Sequence, residues 1–77
     1  MKLTQEDIEV VLKNQQPVRF TWRGKTYCVT EVLERWVVDA EWWGRKVSRL
    51  YYRVNTARGV MEIYRQEGSW MLSHVMD

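Results

Sequence analysis

The sequence predicts a mainly β fold: a small antiparallel, strongly bent sheet or SH3-like barrel of five to six strands, with a possible short N-terminal helix. Three observations carry this. Runs of alternating apolar and polar residues recur along the chain, as half-buried strands require. Four isolated glycines (Gly24, Gly44, Gly59, Gly68) punctuate the chain as turn residues. Five Trp, four Tyr and one Phe supply large apolar bodies, which lets a short chain build a core from few residues.

Taken in order, Ile8 to Leu12 reads two ways. Thr4 and Asp7 have the spacing of a loose capping box, which would start a helix. The alternation of Ile8, Val10 and Leu12 favours a strand, and the strand is the preferred reading. Asn14-Gln15-Gln16-Pro17 reads as a turn. Val18, Phe20 and Trp22 share one face of the next strand, and Arg19, Thr21 and Arg23 the other. Gly24 turns it into Thr26–Thr30, giving the clearest hairpin in the chain. Glu31–Val38 continues that strand, but its alternation slips at Val32-Leu33 and again at Trp36. A β-bulge or sharp bend explains the slip; a short helix competes. Asp39 to Ser48 is expected to be a polar loop holding Trp42-Trp43 and Gly44. Leu50–Asn55, Val60–Arg65 and Trp70–Met76 then form a meander with short loops. Closure of such a sheet would hide its edges.

All 77 residues form one domain (1–77), and a chain this short buries a limited share of its surface. Its single cysteine excludes an internal disulfide, and one Cys with one His excludes a structural zinc. No cofactor is expected. No apolar run approaches the ~20 residues a bilayer span needs, and the acidic Glu6-Asp7 start lacks the apolar core of a signal peptide. A cytoplasmic protein without membrane or metal, and a monomer, is expected.

Enzyme chemistry is not expected. Cys28 and His74 are the only thiol and imidazole, and Cys28 reads as a small core residue within a strand. The glycines form no phosphate loop, and no motif singles out a pair of carboxylates.

The net charge of +2 is small, but the charges are segregated. Val10–Thr30 carries Lys13, Arg19, Arg23 and Lys25 with no acid. Trp42–Met61 carries Arg45, Lys46, Arg49, Arg53 and Arg58 with no acid. Folding could gather the two stretches on one side. If Tyr52 and Val54 point inward, Tyr51 and Arg53 point outward. Arg19, Arg23, Lys25 and Arg53 are then candidate phosphate contacts, with Tyr51 and Trp43 as candidate stacking platforms for bases. The bland alternative is a solvated face, with Arg53 paired to Glu62 across strands and Tyr51 covering apolar surface. Trp42, Trp43, Arg45, Lys46 and Arg49 are candidate partner contacts, since an exposed Trp beside Arg suits an interface anchor. Adjacent residues on an extended chain point opposite ways, so one of Trp42 and Trp43 is expected to pack and the other to lie exposed; both could also fold under the loop.

The spaced set Phe20-Thr21-Trp22-Arg23-Gly24-Lys25-Thr26-Tyr27-Cys28-Val29, Glu41-Trp42-Trp43, Tyr51-Tyr52-Arg53-Val54, Tyr64-Arg65 and Trp70 resembles a bacterial domain-of-unknown-function family. That family is similar to the C-terminal segment of ImuB-type proteins, the inactive Y-family polymerase relatives of the mutasome. The resemblance covers about residues 17–77. It implies a non-enzymatic accessory module in DNA repair or translesion synthesis, whose partner is single-stranded DNA or a translesion-synthesis protein. The alternative is a protein-interaction module that docks through the Trp-containing loop or an exposed strand edge. Phe20, Trp22, Tyr27, Val29 and Val54 have the parity of core positions, so much of the motif serves the fold.

Overall fold

The computed structural model describes residues 2–76, and side chains throughout that range except those of residues 2–5, 40 and 42. Among the described residues there are seven strands and no helix: β1 (Lys2–Asp7), β2 (Glu9–Lys13), β3 (Gln16–Trp22), β4 (Lys25–Trp42), β5 (Arg45–Thr56), β6 (Gly59–Gln66) and β7 (Ser69–Met76). All neighbours are antiparallel, in the order β1-β7-β6-β5-β4-β3-β2. The mainly β expectation holds, while the strand number and the N-terminal helix are corrected. Thr4 and Asp7 lie within β1, not at a helix start. Their segment pairs with β7 and the next pairs with β3, so tertiary pairing decides a local pattern that suited either form.

The two outer strands of the sheet are consecutive in sequence. Only Ile8 lies between β1 and β2, and its N–H still donates to the Trp70 carbonyl at 3.1 Å while Glu9 already pairs with Thr21. The sheet must therefore curl until its two ends meet the same short segment, giving a half-barrel with its apolar side inward. Ile8, Phe20, Tyr27, Tyr52, Val54, Met61, Ile63 and Leu72 are buried there, with Val10, Trp22, Val29, Val32, Leu50, Trp70 and Val75 packed against them. Phe20 and Tyr27, opposite each other on β3 and β4, stack at 5.2 Å and 8°.

The connections from β2 to β7 are tight. Asn14-Gln15, Arg23-Gly24, Trp43-Gly44 and Glu67-Gly68 all have positive φ at both residues, the backbone of the type I′ hairpin turn, whose twist matches that of the strands. The bend comes from β4. Its eighteen residues would run to roughly 60 Å if straight, against a longest molecular dimension of 39 Å. Register shifts at Val29/Glu31 and Val32/Glu34 mark bulges, which account for the slipped alternation in this segment. The first part of β4 pairs with β3 only as far as Cys28, and the rest pairs with β5.

Asp39 to Ser48 is not a loop. The β4–β5 ladder continues to Trp42↔Arg45, whereas β5 and β6 begin to pair only at Leu50↔Arg65. The hairpin therefore leaves the body of the sheet as a two-stranded ribbon. Within it only Val47 is buried among the residues whose side chains are described, and one buried position makes no alternating pattern, which is why this stretch reads as a loop in the sequence.

Candidate functional site

The face turned away from the core is organised in rows set by register. Glu34, Arg53, Glu62 and His74 stand side by side on β4, β5, β6 and β7. Arg53 donates to Glu34 Oε1 at 2.7 Å and lies 3.6 Å from Glu62 Oε1, and Glu62 Oε2 is 2.8 Å from His74 Nδ1. The next row is Trp36, Tyr51, Tyr64 and Met71. Trp36 and Tyr51 stack at 5.3 Å and 5°, and Tyr51 meets Tyr64 at 4.9 Å. Guanidinium groups close over both ends: Arg53 lies 5.5 Å from the Trp36 ring centre and Arg49 lies 4.9 Å from that of Tyr64. Tyr64 is buried beneath this cover. Its burial pushes the phenol above its ordinary value, with the Arg49 charge opposing.

This geometry revises the roles expected of Arg53 and Tyr51. Both do point outward. Arg53 is neutralised between two carboxylates, and Tyr51 has rings on either side, so the bland alternative accounts for the pair. Trp36 belongs to the row and was not singled out by sequence. Its signal was the register that sets it opposite Tyr51, which a linear pattern does not contain.

Arg23 is held too. Its Nε and Nη2 donate to the two carboxylate oxygens of Glu6 at 3.1 and 2.6 Å, and its guanidinium lies 4.8 Å from the Trp22 ring centre. The hydrogen bond and charge of Glu6 raise its pKa. Because Glu6 is on β1 and Arg23 on the β3–β4 turn, the pair clasps the seam where the curled sheet returns on itself. Arg19 and Lys25 are exposed and have no ion pair among the described residues.

The two basic stretches meet only in part: the Arg58 guanidinium of the second lies 5.3 Å from the ring centre of Tyr27 in the first, while the bases at the two ends of β4 stand apart. Arg23 and Lys25 flank the turn before β4, and Arg45 and Lys46 follow the turn after it, so they sit at opposite ends of the longest strand. Arg45 pairs with Glu67 at 2.6 Å, and Arg49 Nε donates to Gln66 Oε1 at 2.7 Å. These contacts brace the ribbon against the β6–β7 turn. At the ribbon's tip Trp43 is 91 % exposed with φ of 53°. The left-handed region is uncommon for a bulky side chain and suits Asn, Asp or Gly. Val37 and Val38, lower on the ribbon, are also exposed. The side chain of Trp42 lies outside the described residues, so the contrast expected between the two tryptophans is answered only for Trp43.

Cys28 is exposed, opposite Arg19, and is not the core residue expected. The inward side of this pair of strands belongs to the larger rings of Phe20 and Tyr27. His74 stands on β7, with β5 and β6 between it and β4. Its ring nitrogen Nδ1 is 2.8 Å from both Ser73 Oγ and Glu62 Oε2. A catalytic relay uses one ring nitrogen for the serine and the other for the carboxylate. Here both contacts fall on one nitrogen, which serves as donor or acceptor but not both. Among the described residues no group of three potential metal ligands occurs, and no helix is long and apolar enough to cross a membrane. The hollows are open troughs, such as one of about 350 Å³ where β3 and β4 part, lined by Lys13, Pro17, Val29 and Val32 among others.

Comparison with curated proteins and with solved structures finds no match. The family model described as a domain of unknown function, DUF6504, matches residues 1–77. The match extends to no activity and to no link with ImuB-type proteins. Covered from the first residue to the last, the chain belongs to the DUF6504 family of unknown function.

Proposed function

We propose that this domain is a non-enzymatic binding module that docks a protein partner through the tip of the β4–β5 ribbon. The observation that carries the reading is Trp43: a 91 % exposed indole in a left-handed backbone position at the end of a projecting hairpin. The positive φ is the one a type I′ turn requires and is shared with Asn14, Gln15, Arg23 and Glu67; what the turn does not require is an indole, since a small polar residue fits it better. Trp is favoured as an interface anchor. With exposed Lys46 beside it, and Arg45 already held by Glu67 at 2.6 Å, the tip suits an apolar pocket with a carboxylate at its rim. The resemblance to the C-terminal segment of ImuB-type proteins supports a translesion-synthesis protein as that partner, in the cytoplasm.

Nucleic-acid binding is the second reading. Arg19 and Lys25 favour it, since both are exposed without a carboxylate partner among the described residues. Arg23 and Arg53 no longer support it, being held by Glu6, Glu34 and Glu62.

Capture from nuclease-treated extract of the source cells, with wild type and Trp43→Asn in parallel, tests the first reading. Asn suits this turn position, so the variant keeps its Tm and loses the captured protein. Capture that persists in Trp43→Asn refutes docking by the tip. Capture that disappears on nuclease treatment and returns with added single-stranded DNA favours the second reading, which also requires affinity to fall steeply with salt.

A further inference from the structure

The side of β4 that faces away from β5 has no strand against it beyond Cys28, among the described residues. In a ladder closed by a two-residue turn, the pair flanking the turn exchanges both hydrogen bonds, and pairs alternate from there. Trp42↔Arg45 is that flanking pair. Trp42, Ala40, Val38 and Trp36 therefore bond to β5, while Glu41, Asp39, Val37 and Arg35 aim their N–H and C=O groups at the open side. Exposed side chains on this edge include Val37, at 62 % the most exposed large aliphatic residue described, and Val38. An unpaired edge is a template for another strand, and the charges on this one, Arg35, Asp39 and Glu41 about Val37, restrict which strand fits.

We propose that the strand it takes is β4 of a second copy, paired antiparallel about a two-fold axis at Val37, so that the sheet runs on from one chain into the other. The residues of this edge are self-complementary in that register. Arg35 of each copy stands opposite Asp39 of the other, Val37 meets Val37, and on the opposite face Trp36 meets Val38. Arg35, Val37 and Asp39, whose backbone groups are open, thus all fall opposite open positions. Shifting the axis to Val38 pairs Arg35 with Glu41 but sets each Asp39 against a Val37. Shifting it to Trp36 sets Glu31 against Glu41. Neighbouring registers therefore lose part or all of the match. A symmetric interface must be complementary to itself, and this edge is. Asp39 is open to a second bond, since Ser48 Oγ donates to only one of its oxygens, at 2.8 Å. The dimer replaces the monomer expected from sequence. It uses the lateral edge of the ribbon and not its tip, so it stands or falls independently of the Trp43 reading.

Sedimentation velocity of the full chain across a concentration series tests it. Wild type forms a dimer as concentration rises. Arg35→Asp and Asp39→Arg each set like charges opposite one another twice and weaken dimerisation about tenfold or more. An equimolar mixture of the two variants regains dimerisation. In the mixed dimer the new acid at position 35 of one chain meets the new base at position 39 of the other, and the unaltered Asp39 and Arg35 meet as in wild type. A variant that fails to fold cannot rescue its partner, and Val37→Lys, an edge-blocking change at an exposed position, gives a second monomeric form. Wild type that stays monomeric towards millimolar concentration overturns the proposal. So does a mixture no better than either variant alone, or a dimer indifferent to Val37→Lys.

Discussion

Arg53 looks outward, yet its contacts make it part of the structure. Glu62 is buried on the outer face with Arg53 and His74 as its neighbours. Removing the guanidinium leaves a buried carboxylate short of a partner, a loss that costs about 1–3 kcal/mol. Arg53→Ala should therefore lower stability by that amount in urea unfolding, whereas a solvated phosphate ligand would be replaced at almost no cost. Tyr64 carries a pH signature of the same packing. Its folded pKa is raised by burial, so the unfolded chain gives up the proton first, near the free phenol value of about 10. The stability that the neutral ring supplies is complete below that pH and is lost as pH rises through the folded pKa. Alkaline titration followed at the tyrosinate band should show a late ionisation that Tyr64→Phe removes, with the unfolding midpoint falling over the same range.

The β4–β5 hairpin divides into a braced base and a projecting end. Up to the Val37↔Leu50 pair, β5 has β6 on its other side. Beyond that pair the hairpin stands alone, held to the β6–β7 turn by Arg45 and Arg49. Few neighbours mean easy local opening. Amides from Val38 to Ser48 should exchange with solvent faster than those of β5 and β6 between Leu50 and Arg65, measured by hydrogen exchange under native conditions. The β3–β4 hairpin was legible in the sequence, because Val18, Phe20 and Trp22 alternate and Gly24 marks the turn. The slip at Val32-Leu33 was legible as a bulge. The projecting end was not, since Val47 alone is buried among its described side chains and one position makes no pattern. Nor was the strand number at the N-terminus, where the partners lie at the far end of the chain and in β3. Of the candidate site, parity showed that Arg53 and Tyr51 point outward. Their occupancy by Glu34, Glu62, Trp36 and Tyr64 depends on cross-strand register, which no local pattern states.

At the scale of the molecule, one residue between β1 and β2 makes the fold. Ile8 lets the chain leave one end of the sheet and enter the other, and the Glu6–Arg23 clasp sits at the same seam. That pair is exposed on both sides and contributes little by itself; the core that it closes over carries the stability. A domain of this length has about 4–12 kcal/mol to lose, and Phe20→Ala, which empties the centre of the core, costs about 3–5 kcal/mol. The variant should be at or near the edge of folding by thermal melt followed by circular dichroism, while Arg23→Ala should remain folded.

The proposed docking of a protein by the tip of the ribbon sets this domain apart from one that holds nucleic acid with its basic strands. Site-specific photocrosslinking in the source cells, with a photoreactive side chain at position 43 and in parallel at position 19, tests it most directly. Nuclease-resistant protein adducts from position 43, and none from position 19, are the predicted result. Adducts from position 19 that vanish with nuclease, with none from position 43, would contradict it.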